Sequence, residues 1–208
     1  MNKLVVIGVS LSLLLAGCKG DQAENNNQDT VKQQSNLQDN NELNYVNDPI
    51  EFIKNKNAEY VDDELGYSYK IEKIFKNEQT DKDGFNKINN NKFVSNLAFV
   101  LLKEKNNDKY MLGYFGENQN NTDKHIHFLG DIEFTTDTGE QIKPESGALA
   151  TSNKLIKEYN PGVKSKGLGV VALDYQDQLP KTIQVKIAQP QNNDDTNYWG
   201  QDITLNLK

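Results

Sequence analysis

Phe93-Val94-Ser95-Asn96-Leu97-Ala98-Phe99-Val100-Leu101-Leu102-Lys103 is the most apolar run of the chain beyond residue 18. Its β-branched and aromatic content, uninterrupted by Gly or Pro, predicts a strand buried on both faces at the centre of a sheet. Asn106-Asn107-Asp108 follows as a turn, and Tyr110 to Phe115 reads as the hairpin partner. Upstream, Tyr67, Tyr69 and Ile71 alternate with Ser68, Lys70 and Glu72 in the two-residue period of a half-buried strand, and Ile74, out of phase, marks a bulge. Before that, Asp48-Pro49 ahead of Ile50, Phe52 and Ile53 has the form of an N-cap with Pro at the first helical position, predicting a short helix from Pro49 to Asn57.

Downstream, Gly116 to Lys124 reads as a polar loop. Ile126 and Phe128, then Ile132 and Phe134, mark a strand or two short ones broken at Gly130-Asp131. Asp137-Thr138-Gly139-Glu140 and Asn160-Pro161-Gly162 are turns, the second with Pro fixing φ and Gly accepting a positive one. Gly147 to Tyr159 is open between strand and loop. Leu168–Leu173, Thr182–Ala188 and Asp202–Leu207 alternate as three more strands. Seven or eight strands with one short N-terminal helix predict an all-β antiparallel sandwich. No long helical period separates the strands, which disfavours a parallel α/β sheet.

The 208 residues are 36% hydrophobic and carry a formal charge of -7. That average covers three unlike segments: residues 1–18 are about two-thirds apolar, 19–48 about one-fifth, and 49–208 near the mean. The last segment is long enough for one core. With no basic surplus to displace counterions from phosphates, nucleic acid is excluded as a partner. The chain has no Arg, which removes bidentate recognition of carboxylate or phosphate.

Lys3 precedes an apolar run from Leu4 to Leu15 that is too short to span a bilayer and reads as a signal peptide covering residues 1–17. The run ends in Leu15-Ala16-Gly17-Cys18, which resembles the lipobox of bacterial lipoproteins. The resemblance implies signal-peptidase recognition at Leu15, Ala16 and Gly17, and lipidation of Cys18 on sulfur, with acylation such as palmitate to follow. The protein would then be lipid-anchored on the extracytoplasmic face of the cell membrane. Because Cys18 is the sole cysteine, the remaining chain has no thiol for a disulfide, a zinc site or a nucleophile. Residues 18–48 are rich in Asn, Gln, Asp and Glu, and too poor in apolar side chains to offset their ordering entropy. They predict a disordered tether with an r.m.s. span of about 30 Å, and 49–208 the folded domain.

The order of lipobox, Asn-rich linker, Asn91-Lys92-Phe93-Val94 opening a long strand, Asp137-Thr138-Gly139-Glu140, and Asn160-Pro161-Gly162-Val163-Lys164-Ser165-Lys166-Gly167 before a Val-rich strand resembles one group. These are the Firmicute surface lipoproteins with immunoglobulin-like domains of unknown function. The likeness runs over about residues 67 to 190. It implies an immunoglobulin-like β-sandwich and carries no catalytic residues; Gly116–Lys124 and Tyr198-Trp199-Gly200 depart from the pattern.

His125-Ile126-His127 puts two imidazoles on one face of a strand, where Asp123, Asp131 or Glu133 would complete a metal site; solvent-face polar residues are the plainer reading. Gln79-Thr80-Asp81-Lys82-Asp83-Gly84 has the opening of a calcium loop but lacks the Glu at its twelfth position, where Asn90 stands. Gly162 to Gly167 has phosphate-loop spacing, yet Leu168-Gly169 replaces the required Lys and hydroxyl. No nucleophile elbow is present, and Asp62-Asp63-Glu64 and Asp194-Asp195 lie in polar runs where carboxylates are solvated. Tyr198 and Trp199, with Tyr110, Tyr114 and Phe115, form a candidate stacking surface for sugar or peptide. The expectation is a non-enzymatic, cofactor-free binding or structural module that meets the membrane through its lipid and takes a protein or glycan ligand. A metal-binding domain on His125 and His127 is the alternative.

Overall fold

In the computed structural model, which describes residues 44–63, 66–143, 153–194 and 197–208, the run opening at Phe93 is a twelve-residue strand. The described residues form fourteen strands and one helix. In chain order these are β1 (Tyr45–Val46), α1 (Pro49–Lys54), β2 (Glu59–Asp62), β3 (Tyr67–Phe75), β4 (Asn86–Asn90), β5 (Phe93–Glu104), β6 (Tyr110–Asn120), β7 (Ile126–Phe128), β8 (Ile132–Thr136), β9 (Gln141–Ile142), β10 (Lys157–Tyr159), β11 (Lys164–Ala172), β12 (Ile183–Ile187), β13 (Gln191–Asn192) and β14 (Ile203–Leu207). The fold is all-β in open sheets, antiparallel except where β1 runs parallel to β2. A seven-stranded sheet has the order β1-β2-β3-β5-β6-β11, with β4 completing the edge of β5 beyond β3. A three-stranded sheet β10-β7-β13 and a four-stranded sheet β14-β12-β8-β9 account for the rest.

The alternation of β5 explains how one strand serves two cores. Phe93, Leu97, Phe99 and Leu101 point to one face, where they meet the smaller sheets. Phe99 packs edge-on against Phe134 of β8, and Phe93 lies against Phe128 of β7 and Tyr159 of β10. Ala98, Val100 and Leu102 point the other way, into a second cluster closed by α1 through Phe52 and Ile53. Phe52 touches Tyr60 and Phe115 with ring centroids 5.4 and 5.2 Å apart. The strand is therefore buried on both faces, as its composition requires. The bulge expected near Ile74 is present as a register shift between Ile71 and Lys73.

Helix α1 starts as its sequence dictates: the Asp48 carboxylate accepts the N–H groups of Ile50 and Glu51, and Pro49 occupies the first turn. It ends at Lys54, three residues before the expected Asn57, because Asn55 leaves helical geometry and Ala58 bonds back to the Asn55 carbonyl, aiming the chain into β2. Tyr45 and Val46, within the stretch read as tether, pair with Glu59 and Tyr60 of β2.

Asp48 also pairs with Lys166, and Glu59 with Lys105 and Ser68. Burial alone would raise both carboxyls; hydrogen bonds from Lys166 and the Glu51 and Ile50 amides at Asp48, and from Lys105 and Ser68 at Glu59, outweigh it and hold both below the ordinary carboxylate range. A carboxyl lowered by folding stabilises the fold fully above its unfolded value, about 4, and that stabilisation is lost as pH falls through the folded one. Asp48→Ala is expected to cost about 1 kcal/mol at pH 7. Urea denaturation should show the gap from the parent closing as pH falls below the unfolded value and through the lowered folded one.

Three strands differ from expectation for one reason: buried asparagine or carboxylate side chains stand where apolar residues are sought. In β2, Glu59 and Asp62 are buried. In β4, Asn86 and Asn90 are buried, and Asn86 donates to the Leu97 carbonyl. The polar loop expected from Gly116 to Lys124 is instead β6 as far as Asn120, with Asn118 and Asn120 fully buried. Tyr114 and Phe115 are core residues rather than a stacking surface, Tyr114 lying over Gly169 across the β6–β11 ladder.

Candidate ligand-binding concavity

The β5–β6 register pairs Phe93 with Asn120, which brings two asparagine-rich ends together: Asn89-Asn90-Asn91-Lys92 before β5 and Asn120-Asn121-Thr122-Asp123 after β6. The first is a two-residue hairpin turn with Asn91 at φ 49° and Lys92 at φ 72°. Turns with both central residues in the left-handed region match the twist of a hairpin, and Asn adopts that region at lower cost than Lys. The turn is braced by the Asn89 carboxamide, which accepts the Lys92 N–H, and by the Lys92 carbonyl, which accepts the Asn121 N–H. Lys92→Gly is expected to stabilise the protein by about 0.5–1 kcal/mol, after the added entropy of the unfolded glycine, as a rise in the urea midpoint.

The second wall is organised by Asn120. Its amide nitrogen donates to the Lys124 and Tyr159 carbonyls at 2.7 and 2.8 Å, and its oxygen accepts the N–H and hydroxyl of Thr122 at 2.9 and 2.7 Å. All the side chain's hydrogen-bonding capacity is thereby used to shape the loop from Asn121 to Lys124.

The third wall comes from the segment before β14. Asn90 donates to the Gln201 carbonyl and accepts its N–H, behaving like a strand partner. Gly200 lies so close against Asn90 that a Cβ would fall inside the carboxamide, and its φ is 89°. Only glycine fits there. The backbone N–H of Trp199 donates to the Pro190 carbonyl, and its indole N–H donates to the Asn91 carbonyl at 3.0 Å. Trp199 is half-buried against the core, and Tyr198 is exposed beside it in a bridge to Gln191.

Together Asn89, Asn91, Lys92, Asn121, Thr122, Asp123 and Trp199 line an open concavity of about 860 Å³. Among the described residues, no hydrogen bond or ion pair engages the side chains of Asn91, Asn121 or Asp123. The lining offers an aromatic surface, two free amides and one charge of each sign.

Of the residues singled out from sequence, Trp199 lines this concavity and Tyr198 stands at its edge. His127 sits in β7 between Glu158 of β10 and Gln191 of β13, and His125, just before the strand, lies 3.2 Å from Asp194 and 4.0 Å from Glu158. Among the described residues, no three His, Cys, Asp or Glu side chains are grouped to hold a metal. In the loop from Gln79 to Gly84, one oxygen of Asp81 accepts the N–H groups of Asp83, Gly84 and Phe85, turning the carboxylate onto its own backbone. Leu15, Ala16, Gly17 and Cys18 lie outside the described residues. Sequence reading missed Asn89, Asn91, Lys92, Asn121 and Thr122 as site residues and took Asp123 for a metal ligand. The available signal was the pair of Asn runs flanking a hairpin.

Comparison with protein-family models, curated proteins and solved structures found no match for the chain.

Proposed function

We propose that this protein is a lipid-anchored surface protein, held on the extracytoplasmic face of the cell membrane through Cys18, whose domain is a binding module rather than an enzyme. The Trp199 concavity carries the binding reading: its walls are fixed by internal hydrogen bonds while recognition groups on its surface are unspent, the pattern of a preorganised site. The anchor reading rests on Leu15-Ala16-Gly17-Cys18 following a signal-like apolar run. The immunoglobulin-like description of the fold rests on facing sheets that share one core across Phe99 and Phe134; helix α1 and the parallel β1–β2 pair are additions to that plan.

Two measurements test this. Cells fed an alkyne-tagged palmitate should label the parent, and Cys18→Ala should lose the label; labelling that survives the substitution, or a parent without label, overturns the anchor. The full chain in detergent should be retained on isolated cell-envelope polymer or on a host surface glycoprotein layer, and Trp199→Ala should abolish retention. Retention unaffected by that change overturns the site, and failure of the parent to bind either surface overturns the module.

The closeness of Asp194 and Glu158 to His125 gives the metal reading its one supporting observation. Calorimetric titration of untagged protein with Zn²⁺ separates the two: stoichiometric binding lost in His125→Ala/His127→Ala favours metal, and no heat above dilution removes it.

A further inference from the structure

We infer that the Trp199 concavity is a site for a neutral glycan, taken along an oligosaccharide chain rather than as a single enclosed sugar; this rests on the binding-module reading and names its ligand class.

The argument starts from what Trp199 has left to offer. Its indole N–H is spent on the Asn91 carbonyl, so toward a ligand it presents ring carbon alone. A pyranose is amphiphilic in a matching way, with C–H groups on its faces and hydroxyls around its rim. Stacking of such a face on the indole leaves the hydroxyls directed at the surrounding walls. There the free carboxamides of Asn91 and Asn121 each hold a donor and an acceptor side by side, the complement of two neighbouring hydroxyls that each donate and accept. Asp123 adds an acceptor and Lys92 a donor.

The other ligand classes fit less well. An apolar peptide anchor needs several apolar lining residues, and Trp199 is the only one among the seven. A phosphorylated, sulfated or uronic acid ligand needs a cationic surplus, whereas Lys92 is offset by Asp123 and the chain has no Arg. The volume, about 860 Å³, lies within the range of about 300–1,000 Å³ that small-molecule sites occupy, and the concavity is open, so a polymer can enter and leave along it.

Rigidity is the second, independent support. Asn91 and Lys92 both hold positive φ, Asn90 clamps Gln201 with two hydrogen bonds, and Gly200 fits flush against that clamp. The Asn90–Gln201 clamp and the turn braced by Asn89 form a rigid frame. Here it sets the distance between the indole and the amides before any ligand arrives, so binding does not have to meet that ordering cost.

The test uses the full chain in detergent, titrated with neutral oligosaccharides: β-1,4-linked N-acetylglucosamine oligomers, cello-oligosaccharides and malto-oligosaccharides. Trp199 is the sole tryptophan, so tryptophan emission, excited at the red edge to avoid the tyrosines, reports the site alone. We expect a saturable shift in emission with at least one neutral series, with affinity rising from disaccharide to longer chains, and none with polygalacturonate or a sulfated polysaccharide. By calorimetry, Trp199→Ala should weaken binding at least tenfold and Asn121→Ala about threefold, while Trp199→Phe, which keeps a stacking face, should fall between parent and Trp199→Ala; circular dichroism identical to the parent shows that the fold survives. Binding of an acidic polysaccharide or an apolar peptide in place of the neutral series overturns the glycan assignment and leaves the module intact. No response to any neutral series at 10 mM likewise overturns the assignment; if retention on envelope or host surface still depends on Trp199, the module reading survives it. Neutral oligosaccharide binding untouched by Trp199→Ala overturns the concavity as the site.

Discussion

Gly116→Ala is expected to destabilise the protein by about 3–5 kcal/mol, lowering the thermal midpoint by roughly 10 °C or more. Gly116 lies in the middle of the β5–β6–β11 ladder, opposite Leu97 on one side and Gly167 on the other. The Asn96 carbonyl approaches it so closely that a Cβ would overlap the oxygen, and the Leu97 side chain covers the remaining space at 3.0 Å. A flexible side-chain tip could yield to a methyl group; a strand backbone inside a sheet cannot without breaking ladder bonds. The damage should extend to both faces, because β5 carries the two clusters at once. The check is differential scanning calorimetry or urea denaturation beside Gly139→Ala. Gly139 has open space around it but a φ of 93°, so that variant reports turn strain alone. Equal losses in the two variants would mean that the close approach at Gly116 does not matter.

Asn120→Asp is the second large effect, and it depends on pH. The substitution keeps the shape of the side chain but replaces the amide donor with an oxygen facing the Lys124 and Tyr159 carbonyls. At pH 7 a buried carboxylate would meet two acceptors at hydrogen-bond distance and no cation, a cost of about 3 kcal/mol. Burial and those carbonyls raise the new carboxyl in the fold above its unfolded value of about 4, since the protonated form can donate to one carbonyl. The folded variant then binds more protons than the unfolded chain, so its stability falls as pH rises through that interval. Relative to the parent, the loss should be about 3 kcal/mol at pH 7 and shrink toward about 1 kcal/mol at pH 4. A loss independent of pH would show that Asn120 does not face those carbonyls. If the concavity binds as proposed, the variant should also weaken that binding, because the loop bearing Asn121 and Asp123 is shaped from this one side chain.

The same residue shows why part of the molecule is hidden from sequence reading. The strand at Phe93, its partner at Tyr110, the helix at Pro49 and the turns at Gly139 and Gly162 follow from local chemistry: apolar runs, an N-cap before Pro, and glycine at positive φ. Asn90 and Asn120 are placed by contacts far along the chain. Asn90 is matched by Gln201, and Asn120 by Tyr159. Read in sequence, a buried asparagine is indistinguishable from a solvated one, so β4 and the second half of β6 look like loops. Trp199 and Tyr198 were legible as candidates because aromatics are rare in a polar segment. The lining residues around Trp199 were not, because they converge only once the β5–β6 register is known. Asn118 is buried beside the Tyr159 hydroxyl, which itself donates to the Leu155 carbonyl.

The parallel pairing of β1 with β2 has a mechanical meaning. Any pull on the chain at Asn44 reaches the domain through a two-residue strand and then a six-residue helix, held by Asp48 on Lys166 and by the apolar face of Phe52 and Ile53. Those attachments are few compared with the long β5–β6 ladder behind them. Under load they would yield before that ladder, letting out residues 44–58, about 50 Å of extended chain, and uncovering the second cluster on the sheet. If the protein is anchored and binds a polymer as proposed, it would thus carry an extensible leader at its base.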